Sequence, residues 1–311
     1  MEPTIPFVRT IAPRHGEAVR LSPLVRRIVA PNPGPFTYTG TGTYLVGRGR
    51  VAVIDPGPDL PAHVNAVLEA TAGETITHIL VTHTHRDHSA AAARLAAETG
   101  ARTCGYGPHG SGREESGTLE PEAGEAGVEE GADRDFVPDI ALADGDVIAG
   151  SGWRLEALWT PGHASNHLCF ALDAERALFT GDHVMGWSTS VIVPPDGDMA
   201  AYLAALERLR RRDDAILWPT HGPPIRAPRR FLDALIAHRH AREAAIEAAV
   251  RAGRSRLAEI VAEVHADTPK ALHAAAACSV LAHLVHLAER GRLRMEGALG
   301  PRVRVRPMEG A

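Results

Sequence analysis

The stretch His83-Thr84-His85-Arg86-Asp87-His88 places three histidines and one aspartate within six residues of this 311-residue chain. It follows a short β-forming run at residues 76–81 and precedes an Ala-rich segment at 90–98 that we expect to be helical. In a tight loop after a strand, all four side chains can converge, and imidazole nitrogen and carboxylate oxygen both bind zinc. Four candidate ligands exceed what one open catalytic zinc needs from a single loop. The stretch therefore predicts two metal ions.

Three further positions extend the candidate site along the chain. His163 ends the tripeptide Pro-Gly-His, Asp182 ends the pair Gly-Asp, and His221 begins the pair His-Gly. Each lies at the end of a predicted strand, where the neighbouring glycine allows the backbone to turn sharply. A lone histidine is more often structural than a ligand, but the ordered set of motifs indicates one shared metal centre.

Strand and helix patterns predict an α/β domain over residues 1–226. Strand patterns occupy residues 41–46, 50–54, 76–81, 146–148, 153–159, 167–172, 177–180 and 215–218, and helical patterns residues 63–70, 90–98 and 199–211. After residue 226, three helical patterns (229–251, 257–265 and 272–290) precede a strand pair (292–295 and 303–306). Because helix, helix, helix and hairpin is the order of a winged-helix unit, we expect a small winged-helix-like α+β domain at residues 227–311.

The segment at residues 105–139 differs in composition from its surroundings. It is rich in glycine, and its acidic residues greatly outnumber its arginines, Arg113 and Arg134. We interpret most of it as a mobile acidic loop inserted between core elements. A tolerated insertion is favoured over a functional lid.

The composition excludes several classes of protein. Apolar residues make up 44% and charged residues 23% of the chain, and the net charge of -5 does not indicate nucleic-acid binding. Cys104, Cys169 and Cys278 form no CxxC pair, which argues against a disulfide framework or a thiolate zinc site. No apolar run suits a membrane span or a secretion signal, so we expect a cytoplasmic protein that makes no membrane contact.

These motifs resemble those of the metallo-β-lactamase fold superfamily, a four-layer αββα sandwich with its metals in a cleft at one sheet edge. The resemblance implies two metals, the first bound by His83, His85 and His163, the second by Asp87, His88 and His221, and both by a bridging Asp182. It also implies a role for Asp55, which follows the second predicted strand. Asp55 matches a carboxylate that orients a ligand histidine and so tunes the metals.

Three longer segments resemble one branch of that superfamily, the β-lactamase-like protein two family. They are TPGHASNH at residues 160–167, WPTHGP at 218–223 and SVLAHL at 279–284. That family has a C-terminal winged-helix-like domain, in agreement with the pattern after residue 226. It includes an endoribonuclease for single-stranded RNA and proteins related to acyl-carrier-protein thioesterases. The resemblance therefore implies a hydrolase without naming its substrate.

The expected chemistry is hydrolysis by a hydroxide shared between two divalent metals, with zinc expected and iron or manganese as alternatives. Asp87 is also a catalytic candidate, because its carboxylate could orient the hydroxide and relay its proton. His167 is a second catalytic candidate that could donate to a phosphate or a leaving group. The opposite interpretation, a structural histidine at the start of a strand, stays open. Further candidates for the cleft walls are Ser165, Asn166 and Trp187.

Three functions stay open at this point. The first is hydrolysis of a small-molecule ester, lactone or acyl thioester. The second is single-strand-specific endoribonuclease activity, that is, phosphodiester hydrolysis of RNA, which the branch resemblance and the arginines of residues 290–306 motivate. The third is a nucleic-acid-binding regulator that uses the C-terminal domain. Because the third predicted helix of that domain is mostly Ala, Leu and His, it lacks the polar residues of a recognition helix, which favours a structural or substrate-covering role for the domain.

Overall fold

The structure is a computed structural model that describes residues 4–113, 131–268, 270 and 273–308. Most of these residues belong to two β-sheets that pack face to face, with helices on the outer face of each sheet. The layers follow one another as helix, sheet, sheet and helix. This arrangement confirms the predicted αββα sandwich.

The first sheet has seven strands that lie in sequence order. They are β1 (Val19–Arg20), β2 (Val25–Val29), β3 (Gly42–Val46), β4 (Arg50–Ile54), β5 (Thr75–Leu80), β6 (Arg102–Gly105) and β7 (Ile140–Ala141). Neighbours are antiparallel from β1 to β4 and parallel from β4 to β7. Parallel neighbours need crossover connections. Helix α1 (Pro61–Ala70) connects β4 to β5, and α2 (Arg86–Ser89) with α3 (Ala92–Thr99) connects β5 to β6.

The second sheet has five strands in the order β12-β11-β10-β9-β8. They are β8 (Val147–Gly150), β9 (Trp153–Trp159), β10 (Leu168–Leu172), β11 (Ala177–Gly181) and β12 (Ile216–Pro219). Neighbours are antiparallel except β11 and β12, which are parallel and are connected through α4 (Met199–Arg210). A short 3-10 helix, Asp173–Glu175, connects β10 to β11.

The main core lies between the two sheets. Tyr44, Ile54 and Leu80 of the first sheet belong to one apolar cluster with Leu155 and Phe170 of the second, and all five are at most 1% exposed. A second cluster packs α1 and α3 against the outer face of the first sheet, and a third packs α4 against the second sheet. Because both sheets are covered on both faces, the loops at the strand ends lie on a rigid support.

The C-terminal unit has the predicted order of three helices and a hairpin. Its elements are α5 (Pro228–Arg251), α6 (Leu257–Val264), α7 (His273–Glu289), β13 (Leu293–Glu296) and β14 (Arg304–Pro307). The first half of α5, with Phe231 and Leu235, packs into the cluster of α4 and the second sheet. Its second half, with Ile246 and Val250, packs into a separate C-terminal core. Helix α5 thus contributes to both cores, and the boundary between residues 226 and 227 stays a prediction.

Four strands, the helical turn α2 and the 3-10 helix Asp173–Glu175 were not predicted from the sequence. Strands β1, β6 and β7 have two to four residues, too few to show a period, and form by pairing with their neighbours. In β2 the adjacent Arg26 and Arg27 interrupt the apolar pattern. Asp87 and His88, predicted to lie in a loop, form the helical turn α2. Because this turn begins directly after His85, their side chains still reach the same edge of the sheet.

Residues 114–130, the middle of the predicted acidic loop, lie outside the described residues. The flanking residues are packed against the site. Nδ2 of Asn166 donates to the carbonyls of Gly107 and Pro108, each at 3.2 Å, and the amide of Arg86 donates to the carbonyl of Gly131 at 3.0 Å. The flanks are therefore anchored beside the 83–88 stretch.

Within the described part of the chain, no helix is both long and apolar enough to cross a membrane.

Candidate metal centre

Strand ends bring the predicted metal ligands to one edge of the sandwich. The segment after β5, including α2, carries four of them, and the loops after β9, β11 and β12 carry one each. All seven are buried, with at most 8% of any residue exposed. The full set is His83, His85, Asp87, His88, His163, Asp182 and His221. The structure thus brings together every ligand that the sequence predicts.

The first group of candidate ligand atoms consists of three histidine nitrogens. Nε2 of His83 lies 2.8 Å from Nδ1 of His85, and Nε2 of His163 lies 3.1 Å from the same atom. Two atoms that bind one zinc tetrahedrally, each at about 2.0–2.1 Å, are about 3.3 Å apart. The spacing is thus close to that of a ligand set, and these three residues could hold a metal ion.

The second group combines a carboxylate with two histidines. Oδ2 of Asp87 lies 3.0 Å from Nε2 of His221 and 3.4 Å from Nε2 of His88. These three residues form another buried group that could hold a metal ion. The spacing again agrees with that of atoms around one cation.

Asp182 lies between the two groups. Its Oδ2 is 3.4 Å from Nε2 of His88, 3.4 Å from Nε2 of His221 and 4.0 Å from Nε2 of His163. Its Oδ1 and the Nε2 of His88 are buried without a hydrogen-bond partner among the described residues. Buried polar atoms normally have partners, and cations would supply them here.

Hydrogen bonds orient four of the histidines towards the centre of the cluster. Each uses Nδ1 towards an oxygen: His83 to Thr82 Oγ1 (3.0 Å), His88 to Asp55 Oδ2 (2.9 Å), His163 to the Val191 carbonyl (2.7 Å) and His221 to the Gly40 carbonyl (3.4 Å). Because Nδ1 donates in these bonds, the lone pair of each neutral imidazole lies on Nε2. Such partners fix the tautomer that a metal needs.

The carboxylates attract positive charge to the second group. Burial opposes the ionised form of Asp87, yet His88 and His221 lower its pKa to about 2. Burial likewise opposes the ionised form of Asp182, but His221 and His88 lower its pKa well below the ordinary value. Burial also opposes the protonation of His221, while Asp182 and Asp87 raise its pKa to about 10. In contrast, burial with the neighbouring His88 and His85 lowers the pKa of His83 well below its ordinary value.

Asp55 connects two segments that carry predicted ligands, the one after β5 and the one after β12. Its Oδ1 accepts from the amide of Thr82 at 2.8 Å, and its Oδ2 accepts from Oγ1 of Thr82 at 3.0 Å and from Oγ1 of Thr220 at 2.7 Å. The same Oδ2 accepts from His88. Asp55 is fully buried and has a φ of +50°, a left-handed conformation that is rare outside glycine. These contacts match the orienting carboxylate that the resemblance implies.

His167 lies behind the cluster and does not line the cavity. Its Nε2 accepts from the amide of Asp182 at 3.3 Å, and its Nδ1 lies 2.9 Å from Oγ1 of Thr160. The side chain is fully buried, and burial lowers its pKa well below the ordinary value. These contacts fit the structural interpretation, while the catalytic role of His167 stays a prediction.

A cleft opens beside the cluster, with about 320 Å³ of empty space when the open solvent at its mouth is included. Its polar wall consists of His85, Asp87, His163, Asp182 and His221, and its apolar wall of Phe36, Met185 and Val191. The apolar wall was not predicted, because its residues come from irregular segments without a local pattern. Their positions depend on tertiary packing alone.

The other candidate wall residues make different contacts. Oγ of Ser165 donates to Asp196 at 2.6 Å, and Nδ2 of Asn166 donates to Oγ1 of Thr84 at 3.0 Å. Trp187 stacks on Tyr38, with ring centroids 4.8 Å apart. None of these three candidates is among the described residues that line the cleft.

Two family models match the chain. The metallo-beta-lactamase superfamily matches residues 39–221, and the beta-lactamase associated winged helix domain matches residues 257–300. The chain belongs to the metallo-beta-lactamase superfamily. Since the first match spans all seven predicted ligands and Asp55, the resemblance stated from the sequence is confirmed, and so is the winged-helix assignment. This superfamily member is an enzyme of the hydrolase class.

Curated relatives of this superfamily member include proteins from fungi and a nematode. The lactamase-like protein adaB of Aspergillus niger is 33% identical over 249 residues, which is 79% of this chain and 69% of that protein. The beta-lactamase-like protein 2 homolog of Caenorhabditis elegans is 30% identical over 277 residues, or 88% and 86% of the two chains. The atrochrysone carboxyl ACP thioesterase of Aspergillus chevalieri is 30% identical over 262 residues, or 81% and 76%.

Solved structures share the fold over nearly the whole chain. A metallo-beta-lactamase family protein from Thermus thermophilus superposes with a TM-score of 0.72 at 26% identity, covering 93% of this chain and 100% of that one. A beta-lactamase domain protein from Burkholderia ambifaria gives 0.76 at 21% identity, covering 97% and 96%. At 21% identity, the similarity to the Burkholderia ambifaria protein supports the shared fold and no further conclusion.

Proposed function

We propose that this enzyme is a dinuclear metal-dependent hydrolase of acyl thioesters, with oxygen esters and lactones as related substrates. The position of Asp182 carries the proposal. Its Oδ2 lies within 4.0 Å of a histidine nitrogen from each ligand group, namely His163 in the first and His88 and His221 in the second. A carboxylate that binds both metals has to lie in such a position between the two ligand groups.

Zinc is the proposed metal, and iron or manganese would be accepted by the same ligands. His83, His85 and His163 would hold the first ion, and Asp87, His88 and His221 the second. When bound, two divalent cations supply Lewis acidity and lower the pKa of water towards neutrality. The positive charge that the carboxylates favour on His88 and His221 is the charge that a cation would replace.

Asp87 is the proposed proton acceptor. Its Oδ2 accepts a hydrogen bond from Oγ1 of Thr41 at 3.1 Å, which holds the carboxylate at the cleft wall. Because His88 and His221 keep the pKa of Asp87 at about 2 against the opposing effect of burial, the carboxylate is ionised at neutral pH. It can therefore accept a hydrogen bond from the attacking water and orient it, and with so low a pKa it would relay the proton of that water rather than retain it.

The cleft walls support an acyl substrate. Phe36, Met185 and Val191 give the cleft an apolar surface, against which an acyl chain can pack and exclude water. Among the described residues that line the cleft, none is Arg or Lys. Beyond the proposed metals, the described lining therefore offers the neighbouring phosphates of an RNA backbone no cationic side chain. The similarity to a protein named as an acyl-carrier-protein thioesterase also favours a thioester.

The test combines metal analysis with matched substrates. Metal-loaded protein is assayed on a series of acyl thioesters, on oxygen esters of the same acyl groups, and on a labelled single-stranded RNA. We expect two metals per chain and thioester turnover that falls at least about 100-fold in Asp182→Ala, because a bridging ligand is lost. The control Asp59→Ala changes an exposed carboxylate that pairs with Arg94 and leaves turnover unchanged. RNA cleavage that depends on Asp182, without acyl turnover, would replace the proposal with endoribonuclease activity.

A further inference from the structure

Arg239 is a buried cation on α5, outside the family match that contains the predicted ligands. Only 3% of the residue is exposed, and its guanidinium donates to the carbonyl of Ser190. Within the described part of the chain, no carboxylate lies within ion-pair distance of it, and its Nε has no hydrogen-bond partner. Burying a charge without a carboxylate is unfavourable. The position of Arg239 therefore calls for an explanation beyond packing.

The loop that Arg239 holds contacts two predicted metal ligands. Oγ of Ser190 donates to the carbonyl of Asp182 at 2.6 Å. The next residue, Val191, accepts at its carbonyl from Nδ1 of His163 at 2.7 Å. The first bond fixes the backbone of the proposed bridging residue. The second fixes the tautomer that places the imidazole lone pair of His163 on Nε2, the atom that would bind a metal.

A second set of contacts connects Arg239 to the candidate ligands through Tyr202 of α4. The guanidinium lies over the Tyr202 ring, 5.1 Å from its centroid. The hydroxyl of Tyr202 donates to the carbonyl of His183, directly after Asp182, at 3.1 Å. The backbone of Tyr202 also packs so closely on Gly162 that a Cβ added there would lie 2.4 Å from Tyr202 Cα. The contacts through the Ser190-Val191 loop and those through Tyr202 therefore both end beside His163 and Asp182.

We infer that Arg239 is a positioning residue of the metal centre, an inference that rests on the proposed function. It holds the Ser190-Val191 loop and Tyr202 in the places from which they orient Asp182 and His163. Helix α5 packs into both the sandwich and the C-terminal core. The metal centre is thus completed by a residue from the helix that leads into the C-terminal unit.

The experiment compares Arg239→Met and Arg239→Lys with Arg242→Met. Arg242 lies one turn nearer the C-terminus on α5 and donates to the carbonyl of Val264 at the end of α6, away from the Ser190 loop. Metal affinity is measured by competition with a chelator, together with the melting temperature of the metal-free proteins and with kcat and KM. The metal-free melting temperature separates a local effect on the site from a general loss of stability.

We expect Arg239→Met to lower metal affinity about 10- to 100-fold, the usual effect of losing a residue that orients a ligand. Arg239→Lys should restore part of the affinity, since an ammonium can still donate to Ser190. Arg242→Met should leave metal affinity unchanged even where it lowers the melting temperature. In Arg239→Met, kcat should fall because Asp182 and His163 are less well oriented, and KM should rise as well, because Val191 of the apolar cleft wall lies on the same loop.

Wild-type metal affinity in a folded Arg239→Met protein would overturn the inference, as would an equal loss in Arg242→Met. If Arg239→Met does not fold, the metal affinity of Ser190→Ala tests the inference instead. This variant removes the hydrogen bond from the Ser190 hydroxyl to the carbonyl of Asp182 and keeps the backbone carbonyl that Arg239 contacts. Loss of affinity in Ser190→Ala supports the inference, and wild-type affinity overturns it. Failure of the wild-type protein to bind metal would overturn the proposed function itself.

Discussion

Oδ2 of Asp55 lies 2.9 Å from Nδ1 of His88, and both side chains are fully buried. The carboxylate accepts the imidazole hydrogen and leaves Nε2 of His88 directed towards Asp87 and Asp182. It also holds Thr220, the residue before His221. A single carboxylate behind the cluster thus sets the direction of candidate ligands from both sheets.

Replacing Asp55 with asparagine should weaken metal binding. The amide presents an NH2 group where the carboxylate now accepts from His88, Thr82 or Thr220, so at least one buried donor loses its partner. We expect metal affinity to fall about 10- to 100-fold and the unfolding free energy to fall by about 1–3 kcal/mol. Chelator competition and urea unfolding measure the two effects. Asp59→Asn, at an exposed carboxylate, is the control, and an equal loss there would contradict the prediction.

The two ligand groups should be separable by mutation. His85 belongs only to the first group and His221 only to the second. We expect His85→Ala and His221→Ala each to retain about one metal per chain, because each removes a ligand from a single site. Asp182→Ala should weaken both sites. Mass spectrometry of metals after dialysis gives the stoichiometry, and a single metal in the wild-type protein would contradict the division into two sites.

Replacement of His167 distinguishes a catalytic role from a supporting one. Its contact with the amide of Asp182 predicts that His167→Gln lowers kcat about tenfold, as expected for a residue that supports a ligand. The shape of the pH profile of kcat should not change. A general acid would instead contribute about 10²- to 10⁴-fold, and its loss would remove one limb of that profile. Stopped assays from pH 5 to 9 separate the two outcomes.

The candidate ligands could be predicted from the sequence because each lies in a short motif at a strand end. The carboxylate of Asp55 also follows a strand with a clear β pattern. Phe36 and Met185 carry no such pattern, since they reach the cleft from irregular segments whose course depends on packing. Arg239 lies on a predicted helix of the second domain, and only the packing of α5 against α4 brings it to the site.

The metal-free protein should lose stability in mild acid because of buried neutral histidines. Burial lowers the pKa of His63 to about 4, against about 6.5 in an unfolded chain. Between these values the unfolded state binds the extra proton, so the unfolding free energy falls as the pH decreases from 6.5 towards 4. The slope is about 1.4 kcal/mol per pH unit for each such group. Above pH 6.5 His63 adds no pH dependence.

The contribution of His63 can be isolated with a matched pair of variants. Urea unfolding at several pH values between 4 and 7 gives the slope of the unfolding free energy against pH. This slope should be shallower for His63→Gln than for the wild-type protein, by the amount that the uptake of about one proton on unfolding contributes. His240→Gln, at an exposed position on the same chain, should keep the wild-type slope. Equal slopes in all three proteins would show that His63 does not resist protonation in the folded state.

Gly162 should tolerate no side chain, because Tyr202 packs against its backbone. It has a φ of +139°, and a Cβ would lie 2.4 Å from Tyr202 Cα. Since backbone atoms of a buried helix cannot move aside easily, Gly162→Ala should shift the loop that carries His163. Gly73→Ala is the matched control, with a φ of +80° and, among the residues that the structure describes, no atom within 4 Å of the added Cβ. We expect Gly162→Ala to lower the unfolding free energy by about 1–3 kcal/mol more than the control and to weaken metal binding. Equal stability and equal metal affinity in the two variants would contradict the close approach of Tyr202 to Gly162.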